Sequence, residues 1–429
     1  MSSPHPARPS VLRNISWLTG ASVLVKPLWF VFITLFCMRT LGASGYGIMT
    51  IALSFMTLAA SFGDFVTNAF TIREVARARR LASRYFSNLL AARVVLLALA
   101  WLVALGVGWS LGYGTAELRA FVFAGIYAAA LRLLEFCRTF YRAFEVLQYE
   151  SYSIVLEKML VVGGGLAMLW TTGTPHGTLL GMAAGMLLTL LLNVSWIHRT
   201  LARLRPRLLS LGFLRTVFWA ALPLGLYALF NQFYRQIGLI LLEGMEGEVA
   251  AGLFGAAFRV TEALQLLPTV VAAAVLPRLS NLFNENDAPA FQRLLRQSLL
   301  GAGLLSVAAA ATVMLFGPTI IRLLDPSPEF APAGPLLQVV IWTFPLMTLN
   351  NLVIATLTAV GQYRFLAWLF GFIVLVNPLL NVLLVPHLAY YGTAIALLGS
   401  EACILAASSL QYHFATRDWR AAAIPTREA

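Results

Sequence analysis

Charge is what this sequence has least of. Of its 429 residues only 11% are charged, against 59% that are hydrophobic, whereas a soluble domain carries about 25% charged residues. Mean hydropathy is +0.80. So little polar surface cannot cover a soluble core of this size, and the chain must use lipid as part of its solvent. Lysine is almost missing: Lys26 and Lys158 are the only two, and arginine supplies the rest of the excess behind a formal net charge of +12. The three cysteines, Cys37, Cys137 and Cys403, are too few and too widely spaced for a disulfide framework or a zinc site. The five histidines fall in tails, loops or span ends without metal-ligand spacing, so neither a metal nor a cofactor is expected. No G-x-x-x-x-G-K-[S/T] loop and no G-x-S-x-G elbow occurs, so the chain brings neither an ATPase nor a hydrolase nucleophile of its own. The positive charge comes without zinc-finger spacing or nucleic-acid-binding aromatic motifs, which sets nucleic acid aside as a partner.

What is abundant is apolar sequence of spanning length. Twelve runs lie near 16–38, 46–70, 88–111, 119–138, 152–172, 177–198, 216–242, 249–276, 298–324, 335–360, 364–385 and 391–414. Each reaches or approaches the ~20 residues a helix needs to cross hydrocarbon. The expected fold is therefore an all-α integral membrane protein of about twelve transmembrane helices. Arginine placement orients it. Counted with the tails and breaks they flank, 21 arginines fall on one side, at the tails and every second break, and only Arg39, Arg119 and Arg322 at the others. By the positive-inside rule both termini are cytoplasmic and the number of spans is even. In a bacterium this places the chain in the inner membrane. Two inner breaks have helical apolar spacing: Phe291, Leu294 and Leu295 behind the N-cap candidate Asp287, and Leu201, Leu204, Leu208 and Leu211 among arginines. Both read as helices lying on the membrane face.

The chain also repeats. Gly42 and Gly47 before the second run match Gly247 and Gly252 before the eighth at an offset of 205 residues, and Arg73 matches Arg278 at the same offset. The reading is a tail over 1–12, a six-helix bundle over 13–200, a basic cytoplasmic linker over 201–215, a second six-helix bundle over 216–415 and a C-terminal tail over 416–429. Parallel repeats of this kind leave a central cleft where a substrate can sit near mid-membrane.

Apart from the arginines counted with the breaks, eleven charges fall inside the runs: Lys26, Arg93, Arg132, Lys158, Arg235, Arg259, Asp64, Glu135, Glu157, Glu262 and Glu401. Each costs about 2.5–3.5 kcal/mol at a helix centre on insertion scales, so they must point inward, pair or snorkel. Arg93, Glu157 and Lys158 are near enough to span ends to snorkel. Arg132 and Glu135 share a helix face three residues apart, either as an intrahelical pair or as part of a site. Arg259 and Glu262 repeat that spacing near mid-membrane. Lys26 has no acid within helical reach and needs water, an anion or a partner from another helix. Asn231 shares a face with Arg235, and Asn68 with Asp64. Asn350, Asn377 and Asn381 add polar groups that interhelical hydrogen bonds would satisfy. Lys26, Asp64, Arg235 and Arg259 occupy the first two helices of each proposed half, and a cationic cleft lined by those helices accounts for them.

The residues then resemble a known family, the polysaccharide or O-antigen flippases in the polysaccharide-transporter branch of the multidrug/oligosaccharidyl-lipid/polysaccharide exporter superfamily. The resemblance rests on Leu41-Gly42-Ala43-Ser44-Gly45-Tyr46-Gly47, Ser61-Phe62-Gly63-Asp64-Phe65 with the arginine-rich loop behind it, Tyr141-Arg142-Ala143-Phe144 with Tyr149, Leu276-Pro277-Arg278-Leu279-Ser280, Leu315-Phe316-Gly317-Pro318, Asn350 and Gly361-Gln362. It implies a non-enzymatic flippase that moves an undecaprenyl-pyrophosphate-linked glycan from the cytoplasmic to the periplasmic leaflet for cell-surface polysaccharide such as lipopolysaccharide O-antigen or exopolysaccharide. An anionic, polar headgroup needs a wet cationic lining while its polyprenyl tail stays in lipid. Lys26, Arg235 and Arg259, with Arg132 behind them, are the candidate phosphate ligands. Asp64, Asn68, Asn231, Glu262, Asn350 and Glu401 are the candidates for lining the cleft or carrying a coupling ion, proton or sodium. Related lipid II flippases imply basic residues in the first, second and eighth spans; the middle of the second span here holds Asp64 instead. The rival readings are an organic-cation exporter of the same superfamily, a membrane glycan polymerase or ligase, for which no outer loop is long enough, and a scaffold, for which the buried charges would have no purpose.

Overall fold

The computed structural model describes Val25, residues 27–64 and residues 68–422, and all regular structure among them is helical. Among the described residues eight helices are long and apolar enough to cross a membrane, ten when each of two bent pairs counts as one span. Two of these helices contain a residue that is not helical, Gly42 in one and Gly247 in the other. Counting each as two helices gives twelve helical segments among the described residues, one for each hydropathy run. We number the spans α1 (27–41), α2 (43–61), α3 (Arg79–Ser110), α4 (Thr115–Ala143), α5 (Leu147–Thr172), α6 (Pro175–Thr200), α7 (211–246), α8 (248–264), α9 (Ala288–Leu324), α10 (Pro328–Val340 with Thr343–Ala359), α11 (Tyr363–Leu388) and α12 (Tyr390–Ala422). α2 ends earlier than its apolar run, in a 3₁₀ turn Phe62–Asp64, and the chain resumes as a short helix Asn68–Arg77.

The glycine repeat has a structural meaning. Gly42 has φ +68° and ψ −178° and Gly247 φ +84° and ψ +179°, so both halves turn from one helix into the next through the same glycine-only backbone. The α2 and α8 starts then pack on each other with two-fold reciprocity. A Cβ added to Gly47 would fall on the Glu248 carbonyl, and one added to Gly252 would fall on the Ala43 carbonyl. Residues 43 and 248, like 47 and 252, are related by the same offset of 205. Only glycine lets the backbones come this close. Ser44 Oγ donates to Glu248 Oε1 at 2.7 Å, and Glu329, from the 3₁₀ turn opening α10, accepts the Ala43 N–H at 2.9 Å. Phe330 beside it meets Tyr46 edge-on at 6.0 Å.

The chain forms two compact units. The first holds the residues up to Thr40 and Phe55–Gly225; the second holds Leu41–Ser54 and Leu226–Ala429, and so includes the glycine contact. In the first, α5 and α6 are drawn together through Gly164, Gly181 and Gly185, where an added Cβ would meet the facing backbone. Gly163, next to Gly164, faces open space instead. Between α3 and α4, Phe86 stacks on Phe136 and meets Phe140 edge-on.

Two expectations are corrected here. Asp287 does cap a helix, its Oδ1 accepting the Ala290 N–H at 3.0 Å, but that helix runs unbroken to Leu324. Phe291 and Leu295 are buried against Leu279 and do not lie on the membrane face. Residues 201–210 form no amphipathic helix either. Apart from a 3₁₀ turn Pro206–Leu208 they are non-helical, because Pro206 lacks an N–H and disfavours the helical region for Arg205.

Candidate functional site

The second unit places three charges of α7 and α8 together. Arg259 and Glu262 lie three residues apart on one face of α8, and Arg259 Nη1 is 2.8 Å from Glu262 Oε2. Arg235, on α7, approaches the other oxygen: its Nη2 is 3.9 Å from Glu262 Oε1. One carboxylate thus sits between two guanidinium groups, leaving one positive charge in surplus. None of the three is sealed off; their side chains keep 24%, 30% and 44% exposure for Arg259, Glu262 and Arg235. Asn231, half-buried, is one turn before Arg235 on the same face of α7. Guanidinium planes held this way can bind phosphate oxygens in pairs, and Glu262 satisfies them when no anion is there.

Next to Arg235 in sequence, Tyr234 is buried in the protein. Its hydroxyl donates to Glu401 Oε1 of α12 at 2.6 Å, and Asn350 Nδ2 of α10 donates to Glu401 Oε2 at 2.6 Å and to the Glu401 carbonyl at 2.9 Å. All three residues are buried. Neighbouring neutral donors continue the network: Asn377 Nδ2 donates to Ser400 Oγ at 2.9 Å and Asn381 Nδ2 to the Asn377 carbonyl at 2.9 Å. A carboxylate this deep needs its donors, because an unpaired buried charge is strongly unfavourable.

The first unit holds its charges differently. Glu157 is buried between Arg138 Nη2 at 2.7 Å and Lys158 Nζ at 2.6 Å, and Arg138 Nε also donates to Ser153 Oγ at 3.2 Å. The Lys158 ammonium lies 4.6 Å from the centroid of the Trp29 ring. Arg93 is 3% exposed, its guanidinium 4.6 Å over Phe136 and its Nη2 3.2 Å from Asn68 Oδ1. The snorkelling expected of Arg93, Glu157 and Lys158 is therefore corrected: near span ends as they are, each finds a partner inside the protein. Arg132 pairs with Glu135 at 3.3 Å along α4.

Of the residues singled out from the sequence, Arg235, Arg259 and Glu262 come together, with Asn231 beside them. Asn350 and Glu401 form a separate dry pair. Asn68 serves Arg93, and Arg132 lies in the first unit. Asp64 is in the 3₁₀ turn Phe62–Asp64, its side chain outside what is described, and Lys26 lies outside the described residues. Tyr234, Arg138 and Glu329 were not singled out. A tyrosine in an apolar run and an acid in a loop carry no local signal that they will meet a partner far along the chain.

Comparison with known proteins gives these features a family. A curated protein of Haloferax volcanii, the probable low-salt glycan biosynthesis flippase Agl15, is 23% identical over 242 residues, 56% of this chain. The chain spans about half the length of that relative, 50%. Among solved structures, the lipid II flippase MurJ in an inward closed conformation matches with TM-score 0.75 at 12% identity, over 92% of this chain and 87% of that one. An inward-facing multidrug resistance MATE family transporter of the MOP superfamily matches with TM-score 0.72 at 16% identity, over 96% and 99%. At such identities these likenesses establish the fold. A MatE family model covers residues 223–383. The model described as polysaccharide biosynthesis protein covers residues 11–283, well over half of the sequence, and this multi-pass membrane chain belongs to that family.

Proposed function

We propose that the protein is a flippase that carries a polyprenyl-pyrophosphate-linked oligosaccharide, of the undecaprenyl type, from the cytoplasmic to the periplasmic leaflet by alternating access, for the biosynthesis of cell-surface polysaccharide such as O-antigen or exopolysaccharide. It would act in the bacterial inner membrane with both termini in the cytoplasm. The observation that carries this reading is the Arg235–Glu262–Arg259 cluster, two guanidinium groups held on one carboxylate in a membrane-spanning helix pair. An organic-cation exporter has no use for a surplus of positive charge at that depth. A diphosphate does: its oxygens can displace Glu262 from both arginines, and its departure lets Glu262 return, so the empty site never holds two bare cations. Arg132, with the same spacing to its acid Glu135, and Lys26 are the further candidate phosphate ligands. The headgroup's sugars would meet Asn231 and water.

For coupling, Glu401 is the strongest candidate. It is the one carboxylate among Asp64, Glu262 and Glu401 that is described as buried and held by neutral donors alone. A proton or sodium ion arriving there would loosen the Tyr234 bond, and Tyr234 is the immediate neighbour of Arg235. The reading is tested by separate Arg235→Gln and Arg259→Gln variants in cells lacking the native gene. Loss of surface glycan with accumulation of the lipid-linked intermediate on the cytoplasmic leaflet, at unchanged protein level, supports it. Wild-type export by both variants removes the phosphate-site reading. Dye efflux without glycan export would turn it toward the multidrug alternative.

A further inference from the structure

The segment joining the two halves of the repeat is fastened along its length. The Arg203 N–H donates to Ser83 Oγ at 3.0 Å, the Arg205 N–H to Ser87 Oγ at 2.9 Å and the Ser210 N–H to Asn88 Oδ1 at 2.7 Å, while Asn88 Nδ2 returns a bond to the Leu208 carbonyl at 2.8 Å. Ser83 and Ser87 are one turn apart on α3, with Asn88 next to them, so a single helix face holds an extended strap. Phe213, just beyond the strap, meets Tyr85 edge-on at 5.0 Å and lies 4.6 Å under the Arg84 guanidinium. All of these residues belong to the first unit.

Fastening the strap by its backbone sets its side chains free. Arg203, Arg205 and Arg207 are exposed, and so are Arg79, Arg80 and Arg84 along the first turns of α3. In extended chain alternate side chains share a face, which turns Arg203 and Arg205 the same way. Among the described residues Arg80, Arg84, Arg203, Arg205 and Arg207 form no ion pair, and Arg79 has one, with Glu145 at 3.9 Å. The same stretch exposes large apolar side chains: Leu209 at 50%, Leu211 at 85% and Trp219 at 61%. A soluble acidic partner would have no use for those. A headgroup zone, with phosphate above and acyl chain below, accommodates both.

We propose that the strap 203–211 and the start of α3 form a docking surface for anionic phospholipid headgroups, whose phosphates meet Arg80, Arg84, Arg203, Arg205 and Arg207 while the acyl chains cover Leu209 and Leu211. The surface goes beyond ordinary loop charge because its geometry is set by the protein before any lipid arrives, so no ordering of a loose loop opposes binding. It does not depend on the flippase reading; an exporter of any cargo would carry it.

The test uses the full chain purified in detergent and titrated with mixed micelles or nanodiscs of phosphatidylcholine containing zero to 30 mol% phosphatidylglycerol, on the order of the charge densities at which one arginine adds about 1 kcal/mol, or about fivefold, to association. The readouts are melting temperature and the ratio of phosphatidylglycerol to phosphatidylcholine retained. The wild type should be stabilised by phosphatidylglycerol and retain it preferentially, and the Arg203→Gln/Arg205→Gln/Arg207→Gln variant should lose at least tenfold of that preference. Two comparisons keep the result readable. The triple Arg→Lys variant at the same positions should keep most of the preference. Arg293→Gln/Arg296→Gln, which removes exposed charge from an unstrapped helix of the second unit, should leave it intact. No loss in the strap variant, an equal loss in the Arg293/Arg296 variant, or equal stabilisation by inorganic phosphate without lipid would each overturn the proposal.

Discussion

Replacing Gly47 by alanine puts one methyl group where there is no room for it. The added carbon would lie 2.7 Å from the Glu248 carbonyl carbon and closer still to its oxygen, against about 3.5–4.0 Å for an unstrained carbon contact. Neither side can yield by rotating a side chain, since both are backbone. The starts of α2 and α8 must therefore separate by about 1 Å, and overpacking of this kind costs about 1–3 kcal/mol. Separation also stretches the Ser44–Glu248 hydrogen bond of 2.7 Å. Gly252→Ala should act alike, because it drives its methyl into the Ala43 carbonyl from the symmetry-related position. The double variant is the decisive measurement. Once one methyl has parted the helices the second meets less resistance, so the two losses should add to clearly less than their sum, the behaviour of residues in one contact. Thermal unfolding in detergent reads the stability, and surface glycan in complemented cells reads whether closing this contact matters for transport. Additive losses, or a Gly47→Ala protein that melts with the wild type, would refute the close-approach argument.

Three further outcomes are expected. Glu157→Gln leaves Arg138 and Lys158 without their shared carboxylate and should lower stability by about 3–5 kcal/mol, the usual consequence of stranding a buried charge, as measured by denaturation; a Glu157→Gln protein as stable as wild type would show that water reaches these groups. Glu262→Gln frees both Arg235 and Arg259, so retention of a lipid diphosphate in detergent should rise while export slows, whereas weaker retention would mean that Glu262 organises the arginines instead of competing for them. Glu401→Gln keeps the shape and an acceptor for Tyr234 and should fold with a melting temperature near wild type but transport without dependence on the coupling ion; Glu401→Ala, which strands the Tyr234 hydroxyl and leaves Asn350 only its bond to the main-chain carbonyl, should lose about 1–3 kcal/mol for the stranded hydroxyl.

Hydropathy is a sum over neighbours along the chain, so membrane class, helical fold and the positions of the spans could be read without knowing any contact. The glycine repeat was legible for the same reason: a backbone that only glycine adopts must show as glycine, and Gly42 and Gly247 do. Pairs within one turn of helix, Arg259 with Glu262 and Arg132 with Glu135, follow from spacing alone. Partners across elements do not. Tyr234 meets Glu401 from 167 residues away and Ala43 meets Glu329 from 286, and nothing in the local pattern of either residue names the other. The same separation of scales explains two of the three corrected expectations. Arginines among leucines at helical spacing suggested a surface helix over 201–211, but Pro206 and the hydroxyl and amide groups of Ser83, Ser87 and Asn88 made an extended strap the better use of its backbone donors. Nearness to a span end suggested that Arg93, Glu157 and Lys158 would reach for water. An aromatic face, an amide and an opposite charge, brought beside them by folding, held them inside. The sequence by itself determined how many times the chain crosses the membrane and where it can bend, because those are local properties of the backbone and its solvent. Which charges are bound up and which remain open to a ligand was decided only by the packing of helices distant in sequence, where one partner's position sets the other's free energy.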